Sequence, residues 1–171
     1  MRLEIRLVLP ADARLLPSTR MAMLAHLRAL GVDEDCCDDV ILALDEACAN
    51  VVRHAFPGAL AAEYTLAALL TADEAVIVVE DLGKGIDPEI LRRSRAGADP
   101  EATSGRGLYL MRQLMSSVEI EPVAGASGTR VRMRKKLRPA APSASVVTGA
   151  RSEGGLVGTR PPAAWHRDAM F

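Results

Sequence analysis

The sequence predicts an α/β (α+β) two-layer sandwich, a mixed, mostly antiparallel sheet covered on one face by helices. Three observations carry this expectation. Strand-like runs of alternating or β-branched apolar residues recur along the chain: "RLEIRLVL", "AEYTLAALL", "AVIVVED", "VEIEPV" and "GTRVRMRKK". Two segments of helical period separate the first run from the second. The resulting order, β-α-α-β-β-(lid)-α-β-β, does not alternate strand with helix, which argues against a doubly wound parallel sheet.

Taken in order, Leu3, Ile5, Leu7 and Leu9 share one side of the first strand. In "LPSTRMAMLAHLRALG", Ala22, Leu24, Leu27 and Leu30 recur at helical spacing, and Gly31 suits the stop. Asp33 is the expected N-cap of a second helix over residues 34 to 55, with Glu34 and Asp35 in its first turn and "FPG" ending it. "TADE" sits between two strand runs and predicts a hairpin. "GKGIDPEILRRSRAGADPEATSGRG" is rich in Gly, Pro and charge and reads as a lid loop, too long for an idle connection. "GLYLMRQLMSS" reads as a short helix, and the last two strands flank "AGAS". Beyond Leu137 the chain turns to Pro, Ala, Gly and Ser without period. The expectation is a folded domain over 1–137 and a disordered tail over 138–171.

Composition narrows the function classes. Aromatic residues make up 3% of the chain, so the core must come from Leu, Val, Ile, Ala and Met. A net charge of −1 gives no global pull toward nucleic acid or anionic membrane. Cys36, Cys37 and Cys48 are an odd set without metal-type spacing and read as small buried apolar residues. The amino-terminal stretch is charged and lacks a signal-peptide core, and no run is long enough to span a bilayer, so a cytoplasmic protein is expected. Arg130, Arg132, Arg134, Lys135, Lys136 and Arg138 form a basic run, yet the aromatic interleaving of single-strand binders is missing.

On the second helix, Cys37, Ile41, Leu44, Cys48, Val51 and Ala55 fall on one stripe for packing on the sheet. Asp39, Glu46, Asn50, Arg53 and His54 fall in an arc on the far side, with Glu46, Asn50 and His54 as successive i, i+4 neighbours. Such an arc on its own is what any solvated helix face shows. Leu42, Ala43 and Ala49 lie in or beside it, however, which suggests a partly covered groove.

Two glycine boxes follow. "EDLGKGID" sets Asp81, Gly83 and Gly85 at the end of a strand. A buried carboxylate there can accept a hydrogen bond from an exocyclic amine, and glycines can admit a flat ring close to the backbone. A plain Asp-x-Gly turn gives the same pattern. "SGRGLYLM" sets Gly105, Arg106 and Gly107 at a helix start, where free N–H groups and the helix dipole favour an anion. A lid hinge gives that pattern too. Of the lid arginines, Arg92, Arg93 and Arg95 read as a solvated loop, and Arg106 is the better partner for phosphate.

The three signals in this order, acidic-x-x-x-Asn on a helix, Asp-x-Gly-x-Gly after a strand and Gly-x-Gly opening a helix, resemble the GHKL ATPase fold of gyrase and histidine kinases, a Bergerat-type ATP-binding fold. The forms "DEACANVVRHAF", "EDLGKGID", "SGRGLYLMRQLM" and "GTRVRM" look like its anti-sigma-factor serine kinase branch, over roughly residues 1 to 136. The resemblance implies ATP and Mg²⁺ as cofactors, with Asn50 as metal ligand and Glu46 as general base toward a serine or threonine hydroxyl. It implies Asp81 at the adenine amino group with Gly83 and Gly85 beside the ring, Thr129 assisting Asp81, and Gly105, Arg106 and Gly107 around the phosphates. His54 matches a position often His in that branch and is expected to orient or support. The implied partners are a sigma factor and an anti-anti-sigma (STAS-type) protein, with a homodimer and no direct nucleic acid or membrane. The alternative is a nucleotide-dependent binding switch without phosphoryl transfer.

Overall fold

Alternation along the strands decides which side of the sheet meets the helices. The computed structural model describes residues 1–57, 62–96 and 106–141. Its strands are β1 (Arg2–Pro10), β2 (Glu63–Thr71), β3 (Glu74–Asp81), β4 (Ser117–Pro122) and β5 (Thr129–Lys136). Its helices are α1 (Leu16–Ala29), α2 (Glu34–Asn50), α3 (Pro88–Ala96) and α4 (Arg106–Leu114). Leu66, Ala68 and Leu70 of β2, Ile77 and Val79 of β3, and Val131 and Met133 of β5 are buried at every second position. They share one core with Met23 and Leu27 of α1, the apolar stripe of α2, and Leu108 and Met111 of α4. Every expected member of that stripe, Cys37, Ile41, Leu44, Cys48, Val51 and Ala55, is buried. The three cysteine thiols are free and buried, and burial raises those of Cys37 and Cys48 to about 11.

The sheet order is β1-β2-β3-β5-β4, and the expectation of a mixed sheet is corrected: every pairing among the described strands is antiparallel. Two helices between β1 and β2 return the chain to the end where β1 finishes, so β2 starts at Glu63 opposite Pro10 and runs antiparallel to β1. β5 inserts between β3 and β4 and separates the two strands that share a direction. The β2–β3 hairpin at "TADE" is closed by Thr71, whose Oγ1 accepts from the Glu74 amide (3.0 Å) and donates to its carbonyl (3.1 Å).

Three local expectations shift. The second helix keeps α-helical hydrogen bonding only to Asn50, and Val51–Ala55 widen into a π-helical turn. The first part of the expected lid loop is a helix, α3, begun by Asp87, whose Oδ1 accepts from the Glu89 amide at 2.8 Å. The folded unit also runs past Leu137. The Asp33 amide donates to the Arg138 carbonyl (2.9 Å), the Ala140 amide donates to that of Gly31 (2.7 Å), and Arg138 pairs with Asp33 (3.0 Å). Asp33 thus serves twice, since it also caps α2 through the Cys36 amide at 3.3 Å.

Leu44 is fully buried at the centre of the α2 stripe. Leu44→Ala is expected to cost about 2–5 kcal/mol of unfolding free energy, as buried leucine truncations do. Urea denaturation of the two proteins checks it.

Candidate functional site

The polar arc of α2 becomes a site only where other elements reach it. Glu46 and Asn50 are half-buried, whereas Arg53 and His54 are exposed. Leu42 is exposed, but Ala43 and Ala49 are buried, so the groove expected beside the arc is covered. The cover is α4, which packs along α2. At the start of α4, a Cβ on Gly107 would lie 2.6 Å from Glu46 Oε2 and 3.6 Å from Asn50 Nδ2. A side chain at this position would make the Glu46 carboxylate move, so glycine lets the first turn of this helix sit against it as placed. The amino-terminal end of α4, with its unpaired N–H groups and positive dipole end, therefore faces the carboxylate and amide of α2.

The first glycine box reaches the same helix from the sheet. Gly83 lies against the π-helical turn, where a Cβ would meet the Ala55 carbonyl oxygen at 2.1 Å. That oxygen accepts the Lys84 amide at 2.9 Å. Gly85 has φ +79°, open to glycine at little strain. Ser127 Oγ donates to the Gly83 carbonyl at 3.0 Å and holds the box to the turn before β5. The geometry thus gives Gly83 a packing reason of its own, a close backbone approach, in addition to any ligand beside it.

Asp81 ends β3 with 5% of its surface exposed, opposite Thr129 on β5 and Tyr64 on β2. Its Oδ1 accepts from the Gly83 amide at 2.9 Å. Burial pushes its carboxyl above the ordinary value, against the pull of hydrogen bonds from the Gly83 and Thr129 backbone. Thr129 is buried beside it. Arg106 opens α4 and is exposed, while Gly105 lies outside the described residues. Of the lid arginines, Arg92 pairs with Glu89 at 2.7 Å, and the side chains of Arg93 and Arg95 lie outside the described residues.

Comparison with known proteins meets this geometry. The family model described as the histidine kinase-like ATPase domain matches residues 9–135. The chain belongs to that family. Within it, the serine-protein kinase RsbW of Bacillus cereus is 31% identical over 125 residues, which cover 68% of this chain and 76% of that protein. RsbW of Listeria monocytogenes is 29% identical over 72% of this chain and 83% of its own. Among solved structures, the RsbU and RsbW domains of Rv1364c from Mycobacterium tuberculosis share the fold with a TM-score of 0.58 at 22% identity. That match covers 81% of this chain and 34% of the solved chain. A chain of the SiaB–SiaC complex from Pseudomonas aeruginosa matches with a TM-score of 0.53 at 18% identity, over 77% and 89%. The histidine kinase-like ATPase family uses ATP, and this fold brings Glu46, Asn50 and Gly107 together at one end of the α2–α4 groove.

Sequence reasoning missed the residues that join these parts. Lys84 acts through its backbone, which leaves no side-chain signal. Ser127 stood in "AGAS" as a turn residue. The basic run is largely engaged in ion pairs within the chain: Arg130 with Glu80 (2.6 Å), Arg134 with Glu74 (3.6 Å) and Lys135 with Asp39 (2.6 Å).

The raised carboxyl of Asp81 sets a pH prediction. A group that holds its proton more tightly folded than unfolded favours the fold at low pH, and this contribution is lost as pH rises through its folded value. Asp81→Asn removes the cost of burying the charge and keeps an acceptor for the Gly83 amide. Its stability relative to the parent is expected to be greatest at pH 7 and to fall as pH drops toward the carboxylate range. Urea unfolding of both proteins from pH 7 to 4 measures the gap.

Proposed function

We propose that the chain transfers the γ-phosphate of ATP to a serine or threonine of a small anti-anti-sigma protein of the STAS type, and alternately sequesters a sigma factor. It is a serine/threonine protein kinase, as its serine-protein kinase relatives at about 30% identity over most of the chain support. The observation that carries the reading is the approach of Gly107 to Glu46 and Asn50. It puts a carboxylate, an amide and a helix amino terminus at one place, the set that phosphoryl transfer needs.

In this reading Glu46 takes the proton from the acceptor hydroxyl as its oxygen bonds to the γ-phosphorus. The bond from that phosphorus to the β–γ bridging oxygen breaks, and ADP leaves. Asp81, helped by Thr129, accepts from the adenine amine, with Gly83 and Gly85 beside the ring. Gly105, Arg106 and Gly107 hold the phosphates. Mg²⁺ fits the donors present, since Asn50 supplies a hard amide oxygen. Asn50 would hold the ion through its side-chain oxygen, together with oxygens of the bound phosphates and water. When bound, the ion neutralises phosphate charge. His54, exposed beyond Asn50, keeps a supporting part.

The kinase domain comprises residues 1–137 with the stretch to 141 that bonds back to it; the tail expected over 138–171 lies otherwise outside the described residues. Among the described residues no helix is long and apolar enough to cross a membrane. We place the protein in the cytoplasm as a homodimer without direct nucleic-acid or membrane contact.

Incubation with ATP, Mg²⁺ and the cognate antagonist is expected to transfer phosphate. Glu46→Ala is expected to abolish transfer and spare nucleotide binding. Equal transfer by that variant removes Glu46 as base, and ATP binding without transfer by the parent favours a non-catalytic switch instead. Gly107→Ala separates site geometry from folding. Alanine in a helix gains about 0.5–1 kcal/mol over glycine, yet its methyl would displace the Glu46 carboxylate. Phosphate transfer should fall roughly tenfold, about 1.4 kcal/mol of barrier, while thermal stability holds or rises.

A further inference from the structure

Lys135 belongs to the inward-facing positions of β5. Thr129, Val131 and Met133 alternate toward the helices and are buried, and Lys135 continues that parity with 18% of its side chain exposed. A lysine on the packed side of a sheet needs a partner. Its Nζ donates to Asp39 Oδ2 of α2 at 2.6 Å and to the Leu114 carbonyl, the last residue of α4, at 2.5 Å. One ammonium thus joins three elements: the sheet, the helix that carries Glu46 and Asn50, and the helix that carries Gly107.

The spacing of these contacts fixes what the junction does. Asp39 and Glu46 are seven residues apart on α2, as are Gly107 and Leu114 on α4. Seven residues are about two turns, roughly 10.5 Å. Gly107 meets Glu46 at one end, and Leu114 meets Asp39 through Lys135 at the other, so the helices run antiparallel with tie points at matched separations. Ala43, between Asp39 and Glu46 along α2, is fully buried. The carboxyl end of α4 is held further by the Ser116 amide on the Arg134 carbonyl (2.7 Å) and by Ser116 Oγ, which accepts from the Lys136 amide (3.0 Å). An ammonium at the negative end of the α4 dipole is also favourable in itself.

We propose that Lys135 is a positioning residue that fixes α4 in register along α2 and so places Gly107, and the helix start it opens, against Glu46 and Asn50. Lys135 touches neither nucleotide nor acceptor; it acts through Asp39 and the end of α4. The inference rests on the phosphoryl-transfer reading for its catalytic consequence and on packing alone for its structural one. The two are separable.

Three variants test it: Lys135→Met, which keeps the stem and removes the charge, Lys135→Arg, which keeps the charge, and Asp39→Asn. Amide hydrogen exchange at Leu110 to Leu114 reports the clamp without any activity. At a temperature far below unfolding, K135M is expected to exchange at least about tenfold faster there than the parent, with the β2–β3 hairpin unchanged. In the transfer assay K135M should lose roughly tenfold in kcat with a smaller change in the KM for ATP, and K135R should restore most of it. A double variant, D39N with K135M, should be no worse than K135M, as groups that act through one contact are not additive. Parent-like exchange along α4 in K135M overturns the proposal, and so does normal kcat beside a loosened α4. Should the parent itself transfer no phosphate, the functional reading fails, and the exchange measurement still decides the clamp.

Discussion

The contact of Gly83 and Lys84 with the Ala55 carbonyl is the constraint on which the site depends. Asp81 belongs to the sheet, Glu46 and Asn50 to a helix, and nothing in covalent geometry keeps the two at a fixed distance. The backbone does so. With no Cβ, Gly83 lies against Ala55, and the Lys84 amide donates to its carbonyl at 2.9 Å. Ala55 ends the π-helical turn, so its carbonyl has no partner within the helix and is free to accept from the glycine box. A side chain at 83 would push the box off the helix and carry Asp81 away from the groove that Asn50 faces.

The second constraint is the mirror of the first. At Gly107 the absent Cβ admits carboxylate and amide groups of α2, where at Gly83 it admits a carbonyl. Both boxes therefore owe their glycines to protein contacts as much as to a ligand. This reconciles the two meanings that each box carries in the sequence. A turn or hinge and the proposed nucleotide site are compatible readings of one feature, because a missing Cβ admits a ligand or a neighbouring element alike.

What was legible follows from which interactions leave a periodic trace. The α2 stripe and the buried parity of β2, β3 and β5 recur every 3.6 or 2 residues, so they could be read directly. The polar row could be read, but its meaning waited for the two boxes, since solvated helices show the same row. The π-helical turn left no trace, because it changes backbone bonding while Val51 and Ala55 stay on the stripe. Helix α3 was hidden by its charge and its flanking glycines. Asp87 before Pro88 and Glu89 was a helix start that the lid reading passed over. Lys135 was lost in a basic run that reads as solvent-facing, although strict alternation from Thr129 sets it on the inward side. The sheet was expected to be mixed because direction cannot be read from a strand run. It depends on where β5 inserts.

Charge on the helices then completes the arrangement. Glu34 and Asp35 sit in the first turn of α2, where the dipole favours acids, and Asp33 caps it. Helix α4 has the opposite need at each end. Its amino terminus carries no acid in its own first turn, and the carboxylate that faces it, Glu46, comes from α2. Its carboxyl terminus takes the Lys135 ammonium. A charge at the negative end stabilises a helix without occupying the N–H groups at its positive end. The Lys135 ammonium at Leu114 therefore stabilises α4 without engaging the N–H groups of its first turn.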